Sequence, residues 1–544
     1  MIKRISAVAM GIVLLGGTLA LRAAADELGK GREIKHVLLI SVDGLHALDV
    51  SNYVATHPHS ALAELASHGV TYSNANTPAN SDSFPGLLAL VTGGSPITSG
   101  LFYDVSYNRS IFDPTNTTCQ GQPGNMQVFD ESIDKYTGDP PNQVSLNRID
   151  PAALPHYINE DGQCVSKFPH NAMHTNTIFE VVKAAGGITA WADKHPAYDM
   201  VNGPSGKGVD DLYTPEVTNF NGFDNTVSVV CTVRNDFLKV NAIVNEINGL
   251  RDDGKTSLGG TPTVLGMNFQ GVSVGQKLSI DNAAGGCPND PLTGQVGGYT
   301  DGAGTPTAVL QYGLDQTDQA LRMMINALKA RHIYESTLFI VSAKHGQTPI
   351  NPVKTNKPGH FADLVAALPD ASTNPAALAI AAANNCSMGP CGFVQDDDIA
   401  LVWLQDQSQT AAVAAYLNAN AKPDPSTNSK GLFIDEVMAG SDLDLRFNDP
   451  SKDPATPDII VRPNYGTIYT GSTAKNAEHG GFNYSDTNVG LVVSNPDLHA
   501  RTVKTPVASS QVAPTILKAL GLDPDQLNSV RKEGTPILPF LFQD

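Results

Sequence analysis

Reactive side chains occur in this sequence just beyond predicted strands, where ligands usually bind in open parallel sheets. Asp43 follows the run HVLLISV, Lys344 and His345 follow STLFIVSA, and His479 precedes VGLVVSN. Ser83 opens the stretch SFPGLLALVTGG, so its hydroxyl lies at the start of a predicted helix, where backbone N–H groups favour an anion. An ordinary N-cap serine is the alternative interpretation of that position. Each of these signals is weak by itself, and the prediction rests on their order along the chain.

The elements that must position these side chains alternate between strand and helix. HVLLISVDG and VTYSNANT are predicted strands, whereas SALAELASHG and FPGLLALVTGG have helical spacing and end at glycine. The same alternation returns in NTIFEVVKAAGGITAWAD and in the long helix that precedes STLFIVSA. This order predicts an α/β fold with a mostly parallel central sheet and helices on both faces.

Three intervals break the alternation and are predicted to be insertions into a single domain of residues 26–544. Residues 101–172 and 196–235 are irregular, and 351–455 has the composition of a small subdomain, with a candidate strand in DIALVWL. We expect DIIVRP, VGLVVSN and the helix QVAPTILKALGL to return to the central sheet, and TPTVLGMNFQGVSV to form one strand.

The first 25 residues have the pattern of a cleaved signal peptide. Lys3 and Arg4 precede an apolar stretch from Ile5 to Leu21, and alanines 23–25 supply a cleavage site. A retained anchor helix is the alternative, although 17 apolar residues are marginal for spanning a bilayer. We therefore expect a secreted or periplasmic protein, with no membrane span once the signal has been removed.

Charge and cysteine content agree with export and exclude some functions. The 544 residues include 35 Lys and Arg against 54 Asp and Glu, a net charge of −19, which argues against a nucleic-acid coat. Six cysteines without a CxxC pair favour disulfides over a thiolate metal site. Their pairing is open at this stage, although Cys386 and Cys391 are close enough in sequence to close a small loop.

The order of these motifs resembles the alkaline phosphatase superfamily, and most of all its type I phosphodiesterase and nucleotide pyrophosphatase branch. The resemblance rests on HVLLISVDGLH, TPANSDSFPGLLALVTGGSPITSG, STLFIVSAKHGQ, AEHGGFNYSDTNVGLVVSNP and VAPTILKALGL, and it covers nearly all of residues 36–520. It implies a site with two metal ions, usually zinc, and a Ser or Thr that attacks phosphorus. By position, Asp43, Ser83 and His345 would belong to the metal nearer the nucleophile, and His479 to the other.

The sequence departs from the family pattern at several of these positions. Lys344 stands where an Asp normally precedes the His of the HG motif, and Val272 and Gln276 stand where Asp and His ligands of the other metal are expected. A catalytic zinc usually has three protein ligands. We therefore expect one divalent cation, zinc, rather than two, held by Asp43, His345 and His479.

Lys344 suggests how the lost metal is replaced. Its ammonium is predicted to substitute electrostatically for the cation, or to act as a base toward Ser83 as in Ser–Lys hydrolases. In a decayed site, Lys344 would instead only pair with Asp43.

Other polar residues are predicted to complete the pocket. Asp104 stands where an Asn commonly contacts the phosphoryl group, and Lys194 and His195 follow a strand after which relatives place phosphate-binding cations. Asp210 and Asp211 are an alternative metal pair, although a solvated loop is the simpler interpretation. Two further acids, Glu478 and Asp486, are candidates to orient His479.

The sequence thus predicts an exported hydrolase of small phosphoric esters, related to phosphodiesterases and nucleotide pyrophosphatases, with Ser83 as nucleophile. One alternative is an anion-binding protein that keeps the fold without turnover, and another is a sulfatase-like hydrolase. The oligomeric state and the natural substrate are not predicted.

Overall fold

The computed structural model describes residues 33–78, 80–129, 131–136, 138, 145–386, 389–423, 425–427 and 429–542. The predicted signal peptide lies outside these residues. The strands are, in chain order, β1 His36–Val42, β2 Gly69–Tyr72, β3 Ala75–Asn76, β4 Val105–Asn108, β5 Asn125–Val128, β6 His156–Ile158, β7 Cys164–Ser166, β8 Ala190–Ala192, β9 Asp211–Tyr213, β10 Val264–Phe269, β11 Thr337–Ser342, β12 Gly392–Asp396, β13 Ala400–Leu404, β14 Ile434–Ala439, β15 Ile459–Pro463, β16 Asn488–Val489, β17 Val492–Ser494, β18 Arg501–Val503 and β19 Val507–Ala508.

The helices lie between these strands. They are α1 Ala47–Thr56, α2 Ala61–Ser67, α3 Ser83–Thr92, α4 Pro96–Ser99, α5 Ser145–Arg148, α6 Ile178–Ala184, α7 Val229–Ile247, α8 Gly271–Lys277, α9 Ala308–Ala330, α10 Phe361–Ala366, α11 Pro375–Asn384, α12 Thr410–Ala419, α13 Tyr484–Thr487, α14 Val512–Ala519 and α15 Asn528–Glu533. Two groups pack separately around the large sheet: α2, α7 and α8 contact α9, whereas α3 and α6 contact α14.

An eight-stranded sheet forms the centre of the fold, in the order β18-β2-β17-β11-β1-β10-β8-β9. β1 runs parallel to both β10 and β11, β10 runs parallel to β8, and only β17 runs antiparallel to its neighbours within this sheet. Every residue of β10 and β11 is buried, as expected for apolar strands covered by helices on both faces. The predicted mostly parallel α/β fold is confirmed.

A smaller antiparallel sheet of β12, β13, β15 and β14 packs against helices α11 and α12. It contains the predicted strand DIALVWL as β13. The segment DIIVRP forms β15 of this sheet, so its predicted return to the large sheet was wrong. Its backbone pairs with Ala400–Val402 on one side and with β14 on the other, which uses both edges of the strand.

The segment after β10 also differs from the prediction. TPTVLGMNFQGVSV was expected to be one strand, but the strand ends at Phe269 and α8 begins at Gly271. The buried carboxylate of Asp236 accepts hydrogen bonds from the backbone N–H groups of Gln270 and Gly271 at 2.8–3.0 Å. This tertiary cap satisfies donors at the helix start, which local periodicity does not reveal.

Three disulfides join Cys119 to Cys164, Cys231 to Cys287 and Cys386 to Cys391. The predicted use of the cysteines in disulfides, including the small loop closed by the last pair, is confirmed. Within the described parts of the chain, every helix is too short or too polar to span a bilayer.

Candidate active site

Four neighbouring parallel strands end at the same edge of the large sheet and deliver the polar side chains of the site. Asp43 follows β1, Lys194 lies two residues beyond β8, Gln270 follows β10, and Lys344 lies two residues beyond β11. Because β8, β10, β1 and β11 are adjacent and parallel, their carboxyl ends converge. The sheet therefore brings together residues that are far apart in sequence.

Helix α3 places Ser83 above this edge. Asp82 is the N-cap of the helix and accepts a hydrogen bond from the Phe84 N–H at 3.3 Å, so Ser83 begins the first turn. One turn later, Gly86 lies against the end of β11: a Cβ atom at this position would lie 2.0 Å from the carbonyl oxygen of Lys344. Only glycine allows the helix to approach the strand end this closely.

The Ser83 hydroxyl lies between a cation and an imidazole. Its Oγ accepts a hydrogen bond from Lys194 Nζ at 3.3 Å and lies 3.3 Å from His345 Nε2. The same ammonium donates to Asp43 Oδ2 and to Gln270 Oε1, both at 2.9 Å. Lys194 therefore occupies the position between Asp43 and Ser83.

The tautomer of His345 follows from its second nitrogen. Nδ1 lies 2.9 Å from the carbonyl oxygen of Gly346, which only accepts hydrogen bonds. This contact assigns the proton to Nδ1 and leaves the Nε2 lone pair facing Ser83. Burial, and then the nearby His479, hold the pKa of His345 well below its usual value, so the ring is neutral.

Asp43 and Lys194 form a buried ion pair. Burial alone would raise the pKa of Asp43, but the ammonium groups of Lys194 and Lys344 lower it well below its usual range. Burial alone would lower the pKa of Lys194, and the charge and hydrogen bond of Asp43 raise it. The carboxylate thus keeps the ammonium beside Ser83 charged, and the amide of Asn268 donates to the same oxygen at 3.2 Å.

The ammonium of Lys344 contacts Asp193, a different carboxylate from the partner of Lys194. Its ammonium donates to both carboxylate oxygens of Asp193 at 3.1 Å and lies 3.8 Å from the centre of the Tyr198 ring. Burial lowers the pKa of Lys344 to about 8, although the charge of Asp193 opposes this shift. The structure thus places Lys194 in direct contact with Ser83 and places Lys344 on Asp193, whereas the sequence analysis assigned the nucleophile's cation to Lys344.

His479 and the carboxyl groups of Asp82 and Asp104 form the other side of the site. The His479 ring lies 4.0 Å from the His345 ring, and its Nδ1 is 3.2 Å from Asp82 Oδ1. Asp82 Oδ2 accepts from the Asp104 N–H at 2.9 Å. Burial raises the pKa of Asp82 to about 6, and burial followed by the charge of Asp82 raises that of Asp104 to about 7.

The remaining predicted residues lie in separate contacts. His195 Nδ1 is 2.6 Å from Glu216 Oε1, whereas Asp210 pairs with Lys183 and Asp211 with Arg251. Two lysines flank Glu478, with Lys277 at 2.9 Å and Lys475 on the other carboxylate oxygen. Asp486 accepts from the Asn483 N–H at the start of α13. The roles assigned to these residues from the sequence stay predictions.

The donor set does not fit the two-metal centre that the family resemblance implies. Val272 is buried and has no donor atom, and the Gln276 amide donates to the Gly44 carbonyl and the Tyr299 hydroxyl, both at 2.8 Å. The ammonium of Lys194 fills the space where a cation would bridge Asp43 and Ser83. Among the described residues, one His/Asp/Glu set brings three donors within 4.8 Å of one another: Glu131, His195 and Glu216.

Four direct contacts of the site were not predicted from the sequence: Asp82, Asp193, Asn268 and Gln270. The sequence positions of two of these residues could have indicated a role in the site. Asp82 directly precedes the predicted nucleophile, and Gln270 is the first residue after a buried strand. Asn268 lies inside β10, where its amide is buried, and nothing in the local pattern indicates that contact.

Comparison with known proteins decides the family. The pattern of type I phosphodiesterase / nucleotide pyrophosphatase matches residues 37–138 and 262–486, which is more than half of the chain. The chain belongs to this family. By this membership it is a phosphoester hydrolase, in a family that is usually dependent on divalent metals. The matched ranges contain Asp43, Ser83, His345 and His479, and they leave out the strand that leads to Lys194.

Solved structures show the same fold at low sequence identity. Murine ectonucleotide pyrophosphatase / phosphodiesterase 5, as an inactive variant in complex with AMP, superposes with a TM-score of 0.51 and 13% identity, covering 90% of this chain and 96% of that one. Another structure of the murine protein gives a TM-score of 0.50, with the same identity and coverage. No curated protein matches the sequence significantly.

Proposed function

We propose that this protein hydrolyses phosphoric esters with Ser83 as nucleophile, His345 as general base and Lys194 as the cation that a metal usually supplies. One observation carries the proposal: Ser83 Oγ lies 3.3 Å from both His345 Nε2 and Lys194 Nζ. A neutral imidazole that faces a hydroxyl is arranged to accept its proton.

The first step converts the serine to a phosphoserine. The Ser83 hydroxyl gives its proton to His345 Nε2 while Oγ forms a bond to phosphorus, and the ester P–O bond breaks, with solvent protonating the leaving oxygen. In the second step water attacks phosphorus and gives up a proton to solvent, the bond to Oγ breaks, and His345 Nε2 returns its proton to Ser83 Oγ. Each step adds one oxygen to phosphorus and releases one.

Lys194 supplies positive charge where the reaction concentrates negative charge. Its ammonium contacts Oγ and is positioned to attract a phosphoryl oxygen bound beside Ser83, in a site that is removed from bulk water. Asp43 holds the ammonium in place at 2.9 Å, a positioning role rather than a metal-binding one. The proposed mechanism uses no divalent cation at Ser83, because the ammonium of Lys194 already lies between Asp43 and Ser83.

Asp104 is proposed to replace the asparagine that commonly contacts the phosphoryl group. Burial and the charge of Asp82 raise the pKa of Asp104 to about 7, so its carboxyl group keeps a proton below this pH, and a protonated carboxyl donates a hydrogen bond as an amide does. The side chain is partly exposed, so this is the side from which the site meets solvent.

The substrate class and compartment follow from more than one feature. A small nucleotide-type ester fits the family description, and a structural neighbour was solved with AMP. Three disulfides support an oxidising compartment, in agreement with the predicted signal sequence. We therefore propose a secreted or periplasmic enzyme acting on small phosphoric esters.

Turnover of aryl phosphate mono- and diesters by Ser83→Ala tests the nucleophile. We expect kcat to fall by at least about 10³-fold, whereas Ser205→Ala, which changes an exposed serine, leaves it unchanged. Mass spectrometry after rapid acid quenching should detect phosphate on the peptide containing Ser83. Full activity of Ser83→Ala would refute the proposal, and a wild type that binds phosphate esters without turnover would favour the anion-binding alternative.

A further inference from the structure

A second cluster of metal-binding side chains lies outside the Ser83 site, at the junction of three chain segments. Glu131 begins a short helical turn in the excursion before α6, His195 directly follows Lys194, and Glu216 lies beyond β9. One donor atom of each residue lies within 4.8 Å of the other two. We propose that Glu131, His195 and Glu216 bind a divalent cation.

The buried carboxylate of Glu216 gives independent support for a ligand. Glu216 is 1% exposed, and its Oε1 accepts from His195 Nδ1 at 2.6 Å and from the N–H and hydroxyl of Thr218 at 2.9 and 3.0 Å. Oε2 is equally buried and has no hydrogen-bond partner among the described residues. Leaving a buried carboxylate oxygen unpaired is costly, and a cation bound there removes the cost.

Arg148, a cation that pairs with an acid of the same region, is engaged away from Glu216. Arg148, which is buried, donates to Asp134 Oδ2 at 2.6 Å and to the Gly138 carbonyl at 3.1 Å. The charge of Glu216 acts on Asp134 as well, so both carboxyl groups belong to one negatively charged region. Arg148 is thus not a partner of Glu216 Oε2, and the carboxylates of this region give it the sign of charge that attracts a metal ion.

The donor types indicate which metal binds. One imidazole and two carboxylates match Zn²⁺ better than Ca²⁺ or Mg²⁺, which prefer sites made entirely of oxygen. Three protein ligands leave a position for water, and the partly exposed Glu131 gives the ion access from solvent. We therefore infer zinc.

The fold gives this ion a structural role. It would join the turn at residues 131–133 to the segment that follows β8, two parts of the chain that are distant in sequence. The ion would lie beside the segment that carries Lys194 but not at Ser83, so it is expected to raise thermal stability without taking part in the hydrolytic steps. This inference is independent of the proposed mechanism.

Zinc binding to the purified full chain tests the proposal. After metal removal, isothermal titration with Zn²⁺ alone should show that Glu131→Gln loses one ion per chain or binds it at least tenfold more weakly than wild type. The matched control is Glu160→Gln, which changes an exposed acid of the same excursion and should bind like wild type. Zinc should also raise the thermal midpoint of wild type and of Glu160→Gln but not of Glu131→Gln.

Two results would overturn the inference. One is a Glu131→Gln variant that binds zinc with wild-type affinity and stoichiometry. The other is a zinc ion lost in His479→Ala but retained in Glu131→Gln, which would place the metal at the catalytic histidines. Because both readouts measure binding and stability, failure of the hydrolytic mechanism would not affect them.

Discussion

The two sides of the active site differ in how their buried carboxyl groups are compensated. On the nucleophile side, Asp43 has the ammonium of Lys194 at 2.9 Å, and its pKa is held low. On the other side, Asp82 and Asp104 lie close to each other and to the neutral His479, and their pKa values are raised. One side is therefore an ion pair, and the other is a pair of carboxyl groups that take up protons at a higher pH than an ordinary Asp does.

This difference explains how a site with missing metal ligands can still act on a phosphate ester. Charge at the nucleophile comes from a lysine that a carboxylate keeps protonated. At pH values below these pKa values, the protonated carboxyl groups of Asp82 and Asp104 reduce repulsion of an anionic substrate and supply hydrogen-bond donors. Loss of a divalent cation is thus accompanied by changes on both sides of the phosphate position.

The largest loss of activity is expected from replacing Lys194, on the nucleophile side of the site. Lys194→Met removes the only ammonium in contact with Ser83 among the described residues, and we expect kcat/KM to fall about 10³-fold. The control Lys277→Met removes an ammonium from Glu478, which keeps its contact with Lys475, and should cost less than about tenfold. Similar losses in steady-state assays of both variants would contradict the special role of Lys194.

The two adjacent histidines, His345 and His479, should differ in their effect on kcat, because they lie on different sides of the site. His345→Gln removes the base that faces Ser83, so kcat should fall about 10²-fold. His479→Gln, on the carboxyl side, should lower kcat less than tenfold and change mainly KM. If His479→Gln were the more damaging variant in the same assay, the base would have to be assigned to the other side of the site.

Gly86 should show how tightly α3 is held against β11. In Gly86→Ala the new methyl group meets the Lys344 carbonyl, which must displace the helix that carries Ser83; we expect about 3 kcal/mol lower unfolding free energy in urea. Gly260→Ala is the control, since its nearest neighbour would be Ile188 at 3.8 Å. Equal stability of the two variants would show that α3 has room to move.

Replacing Asp104 should have a smaller effect on kcat/KM, and the size of this effect should depend on pH. Its pKa of about 7 means that the proton is present below this pH and is lost above it, so kcat/KM should decline as the pH rises through 7. Asp104→Asn keeps a donor at all pH values and should remove that decline with only a few-fold change at pH 6. An unchanged pH profile in the variant would exclude a protonated Asp104 from substrate binding.

The large sheet could be predicted because its strands are apolar runs whose ends are marked by turn residues. Asp43 and His345 were predicted from their places at those strand ends and Ser83 from its place at the start of a helix, and the structure brings the three side chains together. The partners of Lys194 and Lys344 could not be predicted, because strand order places β8 two positions from β1, and no local pattern encodes that order. Lys344 and His345 are adjacent in sequence beyond the end of β11, yet the ammonium of Lys344 contacts Asp193 and the imidazole of His345 faces Ser83.

Hydrolysis by enzyme freed of metal tests the central claim most directly. Metal content should be measured by elemental analysis after chelation, together with turnover of an aryl phosphodiester and a far-UV circular dichroism spectrum that shows the chain is still folded. With Lys194 as the cation at Ser83, metal-free enzyme should keep kcat within about threefold of the untreated enzyme. This change is much smaller than the roughly 10³-fold loss expected when the charge of Lys194 is removed. A loss of more than about 10²-fold that zinc restores would contradict the account, because it would place a metal ion at the nucleophile.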